Sequence, residues 1–332
     1  MNDPTHRDSV IRLLADGAFH SGEAVATRMG VSRSAVWKHV RALDALGLEA
    51  EAVRGKGYRL TAPIELLEAS TILQSLPQGV APFIERLEIF SSLSSTNSHL
   101  AGSEPPSTSR ARVCLTEHQT AGRGRRGRPW HGVFGGGLCL SIAWHYGEQP
   151  AQLAALALAL GVGAQRALAA TGVPDVRLKW PNDLLWHGHK LGGILIELSA
   201  ESGGPAHVIA GIGINLRLPA GLRRRIVRDG GRSAVDLGEI CAAPYLTRNR
   251  LAGAVIGESI TVLQEFAAAG AERWLQAWNA LDACADREVT FDFGRQRLRG
   301  IARGVDSDGA LKMEIGGRIR RFASGEISPR LT

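Results

Sequence analysis

Three consecutive stretches decide the fold: Ala111-Arg-Val-Cys-Leu-Thr116, Gly122-Arg-Gly-Arg-Arg-Gly-Arg-Pro-Trp130 and Leu138-Cys-Leu-Ser-Ile-Ala-Trp144. The first and third are short apolar runs that read as β-strands. Between them, four arginines and three glycines are packed into one loop. Glycine lets the backbone approach a ligand closely and adopt positive φ. Arginine supplies a planar, permanently charged fork that fits carboxylate and phosphate. Such crowded like charges repel unless an anion neutralises them, so the loop is expected to gain order on binding one. An arginine–glycine segment also suits a nucleic-acid-binding tail or a solvated basic loop. A disordered tail does not fit between two apolar strands.

Working outward, residues 63–283 read as one α/β domain. Further strands are predicted at Leu87–Phe90, Val176–Trp180, Leu191–Leu198 and Val208–Asn215. Helices are predicted at Asn97–Ala101, Gln152–Ala170, Arg248–Ala269 and Ala271–Ala280, with a linker helix near Ser70–Leu76. Strands and helices do not alternate regularly. The pattern therefore predicts an α+β mixed sheet with helices on one face rather than a doubly wound sheet.

Residues 1–62 read as a winged helix-turn-helix. Val10, Ile11, Leu13 and Leu14 give a first short helix, Ser21 caps a second, and Gly30-Val31-Ser32 forms a tight turn. A third helix carries Val36, Trp37, Val40, Leu43 and Leu46 at helical spacing and ends at Gly47, with Trp37 read as core. Two short strands around Arg54-Gly-Lys-Gly57 would form a wing. Residues 284–332 alternate apolar and polar residues in short runs, punctuated by Asp306-Ser-Asp-Gly309 and Gly316-Gly317, and predict a small SH3-like β-barrel.

The 332 residues are 44% hydrophobic and 21% charged, with a net charge of +7. These values suit a globular protein with anionic partners. The polar start, Met1–Val10, carries no hydrophobic secretion segment, and the apolar run Ala151–Ala164 is too short to span a membrane. The four cysteines are isolated from one another and lack zinc spacing, so reduced thiols in a cytoplasmic protein are expected.

Several weaker motifs share the central domain. Ser95-Thr-Asn97, Lys179-Trp-Pro-Asn-Asp183, Lys190-Leu-Gly-Gly-Ile-Leu-Ile-Glu197 and Gly211-Ile-Gly-Ile-Asn215 read singly as a cap, a turn, a surface lysine and a strand end. Their order, together with Gln119 and the arginine loop, resembles the biotin–protein ligase family. With the winged helix in front, essentially residues 8–330 resemble its bifunctional repressor/ligase members.

That resemblance implies a biotin–[acetyl-CoA-carboxylase] ligase using ATP, Mg²⁺ and biotin. It would form biotinyl-5′-AMP and pass biotin to a lysine of the biotin carboxyl carrier protein. Biotin would meet Ser95, Thr96, Asn97, Gln119, Arg123, Gly124, Arg125 and Lys190. The nucleotide side would hold Arg126, Arg128, Trp130, Asn182, Asp183 and Asn215, with Asp183 as a magnesium contact. Trp130 reads equally well as a core aromatic. Arg217–Asp236 fits either a lid over the adenylate or a solvated basic loop. Operator DNA would meet Ser32, Arg33, Ser34, Lys38 and Arg41 on the third helix and Arg54 and Lys56 on the wing. A homodimer promoted by biotinyl-AMP, repressing biotin-synthesis genes, is also implied. Two other readings stay open: a lipoate or octanoate transferase, and a ligase-like acid sensor acting only as a transcription factor.

Overall fold

The structure, a computed structural model, describes residues 4–150, 152–200, 204–229, 231, 233–241, 247–293 and 296–329. The chain begins with α1 (Pro4–Leu14), α2 (Gly22–Met29), α3 (Arg33–Arg41) and the hairpin β1 (Ala50–Val53) and β2 (Gly57–Leu60). Ser21 and Ser32 cap α2 and α3, each hydroxyl accepting the backbone N–H three residues on. Gly30 ends α2 at φ 65°, a conformation that favours glycine. Val10, Ile11, Leu14, Val25, Val36, Val40 and Leu43 form the core. Trp37 does not join them and is 50% exposed. Successive helical residues turn by roughly 100°. Burying Val36 and Val40 therefore rotates Trp37 onto the outward stripe, which corrects its reading as a core residue.

The central domain comprises α4 (Ala69–Gln74), β3 (Ile84–Phe90), α5 (Thr96–Ala101), β4 (Ala111–Thr116), β5 (Gly137–Tyr146), α6 (Leu156–Ala170), β6 (Val176–Lys179), β7 (Asp183–Trp186), β8 (His189–Ala200), β9 (Ala206–Asn215), α7 (Ala220–Arg228), α8 (Leu237–Ile240), α9 (Arg248–Ala269) and α10 (Glu272–Leu281). Seven strands lie in the order β3-β4-β5-β9-β8-β7-β6, with β3 parallel to β4 and every other pair antiparallel. Strand β7 escapes the sequence reading because four residues between tight turns are too few for alternation to register.

One sheet face presents Val113, Leu115, Leu140, Ile142, Val208, Ala210 and Ile212 to the long helices α6 and α9. The other presents Cys114, Ala143 and Ile209 to Leu100 of α5. Helices therefore occupy both faces, not one, and the short helix shares its face with the cleft described below. By length and composition alone, Leu153–Ala170 and Arg248–Ala269 are apolar enough to cross a membrane, but both are mostly buried inside the domain.

Strands β10 (Glu288–Phe293), β11 (Gln296–Val305), β12 (Leu311–Ile315), β13 (Arg318–Phe322) and β14 (Glu326–Pro329) form an antiparallel sheet in the order β13-β12-β11-β10-β14. Phe291, Leu311, Met313 and Ile327 merge with the central core, and the Trp180 indole N–H donates to the Gly309 carbonyl at 3.1 Å.

The segment before β5 and the linker that follows the wing tie the winged helix to the rest. Phe134, from the segment leading into β5, is buried in the winged-helix core, and its N–H donates to the Leu46 carbonyl at 2.9 Å. Behind it, Glu117 and Arg248 form a buried ion pair at 2.6 Å. Glu117 also accepts the Leu67 N–H at 2.6 Å, while Arg248 donates to the Glu65 and Gly137 carbonyls. Burying charge is costly unless it is paired in this way. Phe134→Ala is expected to weaken the N-terminal unit by about 3–5 kcal/mol, as for other buried Phe truncations. Denaturant unfolding followed by a winged-helix probe checks this; an unchanged midpoint would show that Phe134 does not support that core.

Candidate active site

Pairing across the sheet aligns Cys139, Gly213, Gly193 and Asp183 on strands β5, β9, β8 and β7. The neighbouring row aligns Ser141, Gly211 and Leu195. Alternation puts all of them on the face that carries α5. Apart from the buried Ser141, they line an open cleft of about 1320 Å³, solvent at its mouth included, together with residues from each of the motifs singled out in the central domain.

The glycines leave room for what lies over the sheet. A Cβ on Gly213 would come within 2.6 Å of the Trp130 ring, and one on Gly211 within 2.3 Å of Asn97 Oδ1. The indole and the amide thus rest directly on backbone. Trp130 is half-buried and lines the cleft, which separates it from the core aromatics.

At one end the groups are neutral and polar. Ser95 caps α5, and Thr96 and Asn97 are buried on its first turn. Gln119 Oε1 accepts the Thr96 N–H at 2.8 Å and its hydroxyl at 3.2 Å. The Ser141 hydroxyl lies 2.6 Å from both the Thr96 hydroxyl and Asn97 Oδ1. Asn97 Nδ2 donates to Glu197 at 2.8 Å, and the Arg123 guanidinium donates to the same carboxylate at 3.0 Å.

The other end is cationic. Lys179 and Asp183 face each other across the turn whose Trp180–Pro181 peptide is cis. Lys179 Nζ contacts one Asp183 oxygen, and Lys190 Nζ lies 2.6 Å from the other. Burial pushes the Asp183 carboxyl up, but Lys190 and Lys179 outweigh it and hold it well below the usual carboxylate range. Alternation along β8 would turn Lys190 away from Gly193. A register shift between Leu184 and Leu185 pairs Lys190 with Leu185, returning it to the face of Asp183. Lys190 Nζ also sits 5.7 Å from the Trp130 ring centroid.

The arginine loop is a small hairpin. The Gly124 N–H donates to the Arg128 carbonyl at 2.7 Å, and the Trp130 N–H to the Gly122 carbonyl at 2.8 Å. Arg126 and Gly127 take positive φ at its tip. Arg123 is anchored by Glu197, and Arg128 by Glu326 of β14 at 2.8 Å. Arg125 points into the cleft with no carboxylate bonded to it among the described residues. Burial and the adjacent Arg126 pull its guanidinium below the usual arginine value. An anion in the cleft would reverse both penalties. Arg126 itself is exposed at the tip and does not line the cleft, unlike Arg123, Gly124, Arg125 and Arg128.

Asn182 and Asn215 line the cleft but donate to backbone, Asn182 to Ile194 at 2.6 Å and Asn215 to Lys190 and Val235 at 3.3 and 3.2 Å. They hold strand ends. The segment Arg217–Asp236, of which Gly230 and Arg232 lie outside the described residues, forms α7 and one wall: Ile226, Asp229, Gly231 and Ala234 face the cleft. Arg223 binds Asp236 at 2.6 Å, and His131 lies 3.1 Å from Asp229. Asp183 does not fit a magnesium contact, since both oxygens meet ammonium groups. Among the described residues, no cluster of His, Cys, Asp or Glu could hold a metal.

Ser141 and Glu326 lie outside the motifs singled out in the sequence, while Glu197 closes the Lys190–Glu197 motif and Asp229 falls in Arg217–Asp236, neither with a role of its own. Ser141 left a signal as a hydroxyl in the middle of an apolar strand.

Gly213→Ala is expected to destabilise the protein by about 1–3 kcal/mol through overpacking, and far less in a Trp130→Ala background. Unfolding midpoints of the two single variants and the double variant check this. Additive losses would mean that Trp130 does not rest on Gly213.

A family model for the biotin/lipoate A/B protein ligase family matches residues 89–215. A helix-turn-helix domain model matches residues 6–59, and one for the biotin protein ligase C-terminal domain matches residues 286–330. The bifunctional ligase/repressor of Salmonella typhimurium is 38% identical over 331 residues, covering 99% of each chain. That of Escherichia coli K12 is 38% identical over 333 residues with the same coverage. The biotin protein ligase from Aquifex aeolicus, solved in complex with biotin and ATP, matches with a TM-score of 0.60 at 26% identity, covering 75% of this chain and 100% of that one. The chain thus belongs to the bifunctional ligase/repressor family, with a biotin/lipoate protein ligase domain at its centre.

Proposed function

We propose that this protein activates biotin with ATP to biotinyl-5′-AMP and transfers the biotin to a lysine of the biotin carboxyl carrier protein. We propose further that it represses biotin-synthesis genes with biotinyl-AMP as corepressor. One observation carries the enzymatic reading: a single cleft has a neutral hydrogen-bonding end and a cationic end, bridged by a glycine floor under Trp130.

In this reading the ureido ring of biotin takes the polar end, against Ser95, Thr96, Asn97, Gln119 and Ser141. Arg123, paired with Glu197, stands beside Asn97 at that polar end, and the biotin carboxylate lies toward Lys190, Gly124 and Arg125. The nucleotide lies along Trp130, with Arg128, Asn182, Asp183 and Asn215 around it, and Arg126 swings in from the hairpin tip toward the phosphates. A carboxylate oxygen attacks the α-phosphorus as the bond to pyrophosphate breaks. Two anions must approach each other, and that repulsion is what Lys190 and Arg125 offset. The carrier lysine's amine then attacks the acyl carbon, AMP leaves, and the amine's proton is lost to solvent. Asp183 acts on Lys190: its ionised carboxylate, 2.6 Å from Nζ, keeps the ammonium aimed. Magnesium, brought by the nucleotide, would offset charge on its phosphates without a carboxylate cluster among the described residues. The Arg217–Asp236 wall covers the mixed anhydride against water.

Repression rests on the winged helix with its exposed Arg33, Ser34, Lys38, Arg41, Arg54 and Lys56, beside the Ser32 cap. One winged helix reads one half-site, so operator binding calls for a homodimer.

Exchange of labelled pyrophosphate into ATP should depend on biotin and not on lipoate, and labelled biotin should reach a carrier domain. Exchange supported by lipoate alone would point to the lipoate reading, and exchange or transfer absent beside active controls to a sensor without ligase activity. Arg125→Ala should keep its fold while releasing biotinyl-AMP about tenfold faster or more, the loss of one charge-assisted hydrogen bond. Wild-type release kinetics in that variant would remove Arg125 from the site.

A further inference from the structure

The outward stripe of α3 carries Arg33 and Ser34, then Trp37 and Lys38, then Arg41, all exposed and one helical turn apart. Trp37 sits at its centre. Among the described large hydrophobic side chains left exposed, it is the one aromatic. The Arg41 guanidinium lies 5.4 Å from its ring centroid, which holds the indole against the stripe and leaves its outer side open. The wing residues Arg54 and Lys56 are exposed as well. An indole this open is costly in water and becomes favourable against an apolar surface. The cations on both sides of it select a partner whose apolar patch is framed by negative charge. In the DNA major groove that patch is the C5-methyl group of thymine, framed by phosphates.

We propose that Trp37 reads sequence by packing its indole on a thymine methyl group in each operator half-site, while Arg33, Lys38 and Arg41 bind the flanking groove and backbone. The proposal rests on the repressor reading above and assigns to one side chain a specificity that the charges alone cannot supply. Phosphate contacts set affinity and register, not sequence.

The test begins with the full-length protein, biotin and ATP, and a pool of random-sequence duplexes from which bound DNA is selected. Selection of no motif by the wild type would refute the repressor reading itself, and this inference with it. If a motif emerges, its thymines are replaced one at a time by uracil, which removes only the methyl group. At one position per half-site the wild type should lose about fivefold or more in affinity, within the range typical of a single lost base contact. Trp37→Ala should bind the thymine sequence as weakly as the wild type binds the uracil one and should not distinguish the two. Trp37→Phe should recover part of the difference. The slope of affinity against salt should stay the same in all three, because no phosphate contact is lost. Unfolding midpoints control for the fold. A Trp37→Ala protein that keeps the full thymine preference would overturn the assignment while leaving the repressor reading intact, as would a wild type indifferent to uracil at every position.

Discussion

A bare patch of backbone on one face of the central sheet governs the rest of the site. Gly211 and Gly213 on β9 and Gly193 on β8 remove the side chains that alternation would put there. Asn97 and Trp130 descend into that space. If Gly211 or Gly213 carried a Cβ, the polar end or the aromatic wall would have to move.

Around that floor, most of the cations are held by a carboxylate. Glu197 of β8 fixes Arg123, Glu326 of the C-terminal sheet fixes Arg128, and Asp183 fixes Lys190 and Lys179. Arg125 is left facing the cleft. Pairing most of the cations lets the site concentrate positive charge without leaving every charge buried and unanswered. It also makes the C-terminal sheet part of the site, since its carboxylate reaches the base of the arginine hairpin.

The fold was largely legible because strands such as Val113–Thr116 and Leu138–Trp144 have one strongly apolar face, and because Ser21, Ser32, Gly30 and Gly47 punctuate helices by local chemistry. What escaped depends on distant pairing. β7 is too short to show a period. β14 is equally short, and its Glu326 matters only through Arg128. The register shift that turns Lys190 toward Asp183 arises between strands and leaves no mark on β8 alone. Motif glycines were visible as letters, but their purpose appears only when Trp130 and Asn97 are seen over them. Trp37 was misread because helical spacing alone does not tell the buried stripe from its neighbour.

The winged helix is not an appendage. Phe134 completes its core, and the same segment runs from Trp130 of the cleft into β5. Trp130 of the cleft and Phe134 of the winged-helix core are thus separated by three residues of chain. The proposed function requires one cleft to hold biotin and nucleotide end to end over the glycine floor. The most direct test is a crystal structure of the protein grown with biotin and ATP. Biotinyl-AMP should lie with its ureido ring against Thr96, Asn97, Gln119 and Ser141, its phosphate within reach of Lys190 and Arg125, and Trp130 beside the nucleotide. A nucleotide seated at the polar end, or an adenylate bound away from Gly211 and Gly213, would contradict it.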